Sequence, residues 1–128
     1  MEPVLKTIDL DDFSKSISDN LRILDVRAPM EFAQGALPNS TNLPILNDEE
    51  RHLIGTCYKI NGREVAIALG HKIVSGENKT KKLQAWKDFF TQYPHAVLTC
   101  FRGGLRSQIA QKFLFEAGID RPRLEKGY

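Results

Sequence analysis

Apolar residues along this chain fall into short contiguous runs and longer, spaced stripes. The short runs read as strands: residues 4–8 as an edge strand, 21–27 (Leu21-Arg22-Ile23-Leu24-Asp25-Val26-Arg27) as a central strand ending in charged residues, and 96–99 as a buried strand. Residues 38–44 read as an extended loop or short strand with Leu43 inward, and residues 123–125 as a final strand. The spaced stripes read as helices. Phe13 and Ile17 lie four apart within residues 9–20, and Pro29 opens a short helix through Glu31, Phe32 and Gln34 that Gly35 ends. Asn47, with Glu50 three residues on, caps a helix that carries Leu53 and Ile54 before Gly55. Val65, Leu69 and Ile73 predict a helix over about 63–74; Leu83, Trp86, Phe90 and Tyr93 predict one over 79–93, stopped by Pro94. Ile109, Ala110, Phe113, Leu114 and Ala117 form the stripe of a last helix, with Gly118 as its cap.

Strands alternating with helices imply an α/β domain whose mostly parallel sheet is covered on both faces. In such sheets a site lies beyond the carboxyl ends of the strands. Cys100 lies at one such end, Asp25 and Arg27 at another. The 128 residues suit one domain, without internal repeat or linker, and no run of 18 apolar residues predicts a membrane span. No signal peptide is visible at the start, and a cytoplasmic location is expected. Charge is uneven: residues 1–50 carry −6 and residues 51–128 carry +8, compatible with a polyanionic partner or with a solvated surface.

The segment Cys100-Phe101-Arg102-Gly103-Gly104-Leu105-Arg106-Ser107 concentrates the chemistry. A thiolate is the reactive form of cysteine, and helix amino ends and guanidinium groups favour it. Gly103 and Gly104 permit a tight loop with inward N–H groups, an anion cradle. Arg106, at the helix start, has the fork to clamp an oxyanion, and Ser107 either donates to the thiolate or caps the helix. Arg102 adds a second cation to the loop. Asp25 and Arg27 are expected as a structural ion pair at a strand end, with a supporting role to the loop as the alternative. Cys57 either sits buried between helices or resolves an oxidised Cys100. His52, His71 and His95 have no metal-ligand spacing, so no metal is expected.

Asp25-Val26-Arg27, Glu31-Phe32, Gly35-Ala36-Leu37-Pro38 and Asn42-Leu43-Pro44, followed by Cys100, resemble the pattern of rhodanese-type domains. That implies a doubly wound, three-layer fold over residues 1–128. Ala36 stands where many members have His, and five residues, rather than four, separate the cysteine from Arg106. A narrower resemblance covers nearly the whole chain. Asn47-Asp48-Glu49-Glu50-Arg51, Gly55-Thr56-Cys57-Tyr58-Lys59, Ala68-Leu69-Gly70-His71-Lys72, Arg102-Gly103-Gly104-Leu105-Arg106-Ser107 and Glu125-Lys126-Gly127-Tyr128 are similar to the N-terminal domain of the bacterial tRNA 2-selenouridine synthases.

The resemblance implies a transferase that replaces the sulfur of 2-thiouridine with selenium at the wobble position of tRNA. It implies selenophosphate as co-substrate, no resident cofactor in this domain, an S-geranyl-2-thiouridine intermediate and a following P-loop domain. Partners are tRNA and an enzyme that makes selenophosphate, with no membrane. The resemblance also implies that Arg102 helps receive an anionic donor or a tRNA phosphate. Three alternatives stand beside it: a thiosulfate sulfurtransferase, a non-catalytic docking module, and a phosphatase, since Cys100 and Arg106-Ser107 also satisfy a Cys-x5-Arg-Ser/Thr pattern.

Overall fold

A computed structural model describes residues 7–8, 22–100 and 105–124. In chain order the strands are β1 (Thr7–Ile8), β2 (Ile23–Asp25), β3 (Ser40–Asn42), β4 (Val97–Thr99) and β5 (Arg123–Leu124). The helices are α1 (Pro29–Gln34), α2 (Asp48–Asn61), α3 (Arg63–Ile73), α4 (Gly76–Gln92) and α5 (Leu105–Glu116). The described strands form one sheet in the order β1-β5-β4-β2-β3, and every pairing in it is parallel. The expected helix at residues 9–20 lies outside the described residues.

Side chains on a strand alternate between faces, and the register makes the two faces distinct. Leu24 pairs with Leu98, and Ile23 with Val97. Leu24, Val26, Leu98 and Cys100 share one face with Trp86, Phe89 and Phe90 of α4 and Ala110, Phe113 and Leu114 of α5. On the other face Ile23, Val97 and Leu124 pack with Leu37. Both faces being apolar explains why β2 and β4 read as continuous hydrophobic runs. Trp86 is buried, and its indole N–H donates to the Leu43 carbonyl at 2.8 Å, tying α4 to the segment after β3.

Two helix boundaries and the buried face of one helix differ from expectation. Helix α2 runs through Gly55 to Asn61 and yields at Gly62, whose φ of 89° suits glycine. An interior glycine costs only ~1 kcal/mol against alanine, which the packing of α2 on α3 offsets. Helix α4 starts at Gly76 rather than Lys79. On α3 the buried residue is Ala66; Val65 is exposed, and Leu69 and Ile73 are only half-buried. The Asn47 cap holds as read: its side chain accepts from the Glu50 N–H and the Glu50 carboxylate accepts from the Asn47 N–H, both at 2.8 Å. Among the described residues no helix is long and apolar enough to cross a membrane.

Candidate functional site around Cys100

Strand β4 ends at Thr99, and Val26 N–H bonds to the Thr99 carbonyl at 3.0 Å. The next residue is Cys100, 2% exposed, on the face that α5 covers. Ser107, in the first turn of α5, meets its sulfur twice. The backbone N–H of Ser107 points at Sγ from 3.3 Å, and the Ser107 hydroxyl oxygen lies 3.2 Å from Sγ. The amino end of a helix carries unpaired N–H groups and partial positive charge. The sulfur thus has core packing on one side and, on the other, an N–H that donates to it and a hydroxyl oxygen that accepts from it. Of the two roles weighed for Ser107, donor to the thiolate or helix cap, the contact seen is a third: its hydroxyl oxygen accepts from the Cys100 thiol and its backbone N–H donates to the sulfur.

Arg106 sits differently from the expected oxyanion clamp. Its Nη1 and Nη2 lie 2.5 and 3.1 Å from the two carboxylate oxygens of Glu31. The physical reason is a buried carboxylate within reach of a guanidinium, a fork-to-fork match among the strongest of ion pairs. Glu31, 4% exposed, also accepts from Ala28 N–H at 3.1 Å and lies 3.2 Å from Nε of Arg51. Burial pushes the Glu31 carboxyl up. The Arg106 hydrogen bond and charge, the Ala28 N–H and the Arg51 charge outweigh that and hold it below the usual carboxylate range.

Asp25 and Arg27 are fully buried and paired, with Nη2 2.9 Å from Oδ2 and Nε 3.1 and 3.0 Å from the two oxygens. Arg27 also donates to the Gly35 carbonyl at 2.7 Å, so it fastens α1 to the end of β2. That arrangement is the structural pair expected at a strand end. Cys57 is half-buried on α2, with Asn61 Nδ2 3.8 Å from its sulfur, and both cysteines are free thiols. It is less enclosed than the buried position expected. Phe101, Arg102, Gly103 and Gly104 lie outside the described residues, and Leu105 is described only as the start of α5. Among the described residues no group of His, Cys, Asp and Glu is arranged to hold a metal.

One residue of the site was not anticipated: Glu31. The available signal was an acidic residue in the first turn of a short helix beginning at Pro29, a position that favours carboxylates. What no pattern revealed is that it faces α5. Beside Arg106 lies a second feature, an apolar cavity of about 150 Å³ lined by Ile45, Ile54, Ala66, Ile67, Ile109 and Phe113, with Arg63, His71 and Arg106 also on its wall. Successive residues of α5 therefore divide the work: Ser107 faces the sulfur, Arg106 and Ile109 the cavity.

A family model described as rhodanese-like domain matches residues 9–128. The chain belongs to the rhodanese-like domain family. Among curated relatives, the tRNA 2-selenouridine synthase of Nitrosomonas eutropha is 53% identical over 121 residues, covering 94% of this chain and 31% of its own length. That of Shewanella piezotolerans is 58% identical over 106 residues, covering 83% of this chain and 29% of its own length. The rhodanese-like domain thus spans about a third of the length of the curated relatives it matches. A crystal structure of the N-terminal domain of a protein described as ATP/GTP binding, from Clostridium difficile 630, superposes with a TM-score of 0.75 at 29% identity, covering 96% of this chain and 93% of that one.

Proposed function

We propose that this rhodanese-like domain is the chalcogen-handling part of a tRNA 2-selenouridine synthase, with Cys100 as the atom that takes up the chalcogen. One observation carries the reading: a cysteine sulfur directly beyond a central parallel strand is met by both the N–H and the hydroxyl of Ser107 at the start of a twelve-residue helix. Relatives of 48–58% identity bearing the synthase name support it.

The chemistry follows from the contacts. With thiosulfate as the simplest donor, the Cys100 thiolate attacks the outer sulfur, the S–S bond breaks, and sulfite leaves with the electron pair. Cys100 is left as a persulfide. Preorganised donors favour the anionic sulfur at no reorganisation cost; the Ser107 N–H is one, and the Ser107 hydroxyl, which accepts from the Cys100 thiol, is free to donate once that proton is lost. In the complete enzyme selenophosphate is the selenium source and the sulfur of 2-thiouridine in tRNA is the atom replaced. A P-loop domain, a selenophosphate-producing partner and a cytoplasmic setting belong to the same reading. The S-geranyl-2-thiouridine intermediate belongs to the same reading. Arg102, Gly103 and Gly104 complete the cradle in this proposal. A phosphatase would need the fork of Arg106 at a phosphate beside the sulfur, whereas here both Nη atoms face Glu31.

The test uses the full-length protein with 2-thiouridine tRNA and selenophosphate, followed by nucleoside mass spectrometry. Wild type is expected to yield 2-selenouridine and Cys100→Ser to leave the thiouridine unselenated. Equal selenation by both proteins would overturn the assignment of Cys100.

A further inference from the structure

Three elements converge on one carboxylate. Glu31 is borne by α1, Arg106 by the first turn of α5 and Arg51 by α2. Of the two arginines, Arg106 makes the closer, two-pronged contact, and its neighbour in the chain is Ser107, whose N–H donates to the sulfur and whose hydroxyl oxygen accepts from the thiol. Arg51 is half exposed, and its Nε lies 3.2 Å from one carboxylate oxygen. The Ala28 N–H, at the N-cap of α1, also donates to the carboxylate at 3.1 Å, so the anchor for Arg106 is itself held in place by a backbone hydrogen bond.

We infer that Glu31 is a positioning residue for Cys100: by gripping Arg106 it sets the first turn of α5 so that Ser107 meets the sulfur. The inference rests on the reading of Cys100 as the reactive atom. Two other roles for Glu31 make opposite predictions. If its charge mattered only through space, removing it would favour the thiolate, because a neighbouring anion would be gone. If it merely kept Arg106 off the sulfur, freeing Arg106 would favour the thiolate too. If it positions α5, removing it weakens the contacts that hold the anion and the thiol becomes less reactive.

The measurement is the rate of Cys100 alkylation by iodoacetamide across pH, read by peptide mass spectrometry, in folded protein checked by circular dichroism. Glu31→Gln is expected to react roughly tenfold more slowly near neutrality, the scale of a modest misplacement at a reacting group, with its pH profile shifted upward. Glu31→Asp keeps the charge but shortens the reach, so it is expected not to restore the rate. In an Arg106→Gln background, Glu31→Gln is expected to add nothing, because both changes break one link. Should Glu31→Gln not fold, Arg106→Gln breaks that link from its more exposed side and is expected to show the same loss. An unchanged or faster rate, a downward profile, full rescue by Asp, or additive effects would each overturn the inference. Thiosulfate loading of the same proteins separates the two readings. If wild type takes up no sulfur while Glu31→Gln still slows alkylation, the functional reading fails and this inference stands. If uptake occurs equally in both and alkylation is unchanged, the reverse holds.

Discussion

At the scale of single residues, the sulfur of Cys100 is defined by what Ser107 offers it. Ser107→Ala keeps the backbone N–H at 3.3 Å and deletes the hydroxyl at 3.2 Å. Losing one hydrogen bond to a charged group costs about 1.5–3 kcal/mol, so the rate of alkylation at neutral pH is expected to fall roughly tenfold or more, as stopped thiol-labelling kinetics would show. The two buried carboxyls give a pH signature. Burial pushes Glu50 up, but the Lys82 hydrogen bond, the Asn47 N–H and Asn78 together hold it below the usual range, as the arginines do for Glu31. A carboxyl whose folded pKa is depressed stabilises the fold above its unfolded value of ~4.3, and that contribution is lost as pH falls through the lower folded value. Stability is therefore expected to drop on acidification below about pH 4–5. Glu50→Gln should be less stable at pH 7 and show a shallower acid dependence in urea titrations; an identical slope would contradict the assignment.

At the scale of elements, α2 is set by its cap. Asn47→Ala removes the acceptor for the Glu50 N–H and should cost ~1 kcal/mol, visible as a lower denaturant midpoint with an unchanged slope. This element also shows how much the sequence could tell. The Asn47 and Glu50 signals are local, and they are in the structure as read. The end of α2 is not local: Gly55 is a breaker by propensity, yet tertiary packing of α2 on α3 carries the helix six residues further, to Asn61. The stripe on α3 moved by one residue for a similar reason, since Ala66 faces the cavity shared with α5 rather than a core of its own. In the site, Cys100, Ser107 and the Asp25–Arg27 pair were legible because strand ends and helix starts have sequence marks. The Glu31–Arg106 link was not, because it joins residues 75 positions apart that no single-chain pattern couples.

At the scale of the whole molecule, the order β1-β5-β4-β2-β3 puts the ends of β4 and β2 side by side in the middle of the sheet. Cys100 follows the end of β4, and the buried Asp25–Arg27 pair sits at the end of β2. Breaking a buried ion pair from one side leaves an uncompensated charge, at a cost of about 3–5 kcal/mol. Arg27→Met is therefore expected to destabilise the fold by that order and to loosen α1, which Arg27 ties through the Gly35 carbonyl; a denaturation midpoint equal to wild type would refute the role. Uptake of a chalcogen by Cys100 can be read without the rest of the enzyme. The domain is incubated with thiosulfate or selenosulfate, and the adduct is located by intact and peptide mass spectrometry without reductant. One chalcogen atom on Cys100, absent in Cys100→Ser and retained in Cys57→Ser, is the expected result; no adduct under verified donor supply, or an adduct confined to Cys57, would contradict it.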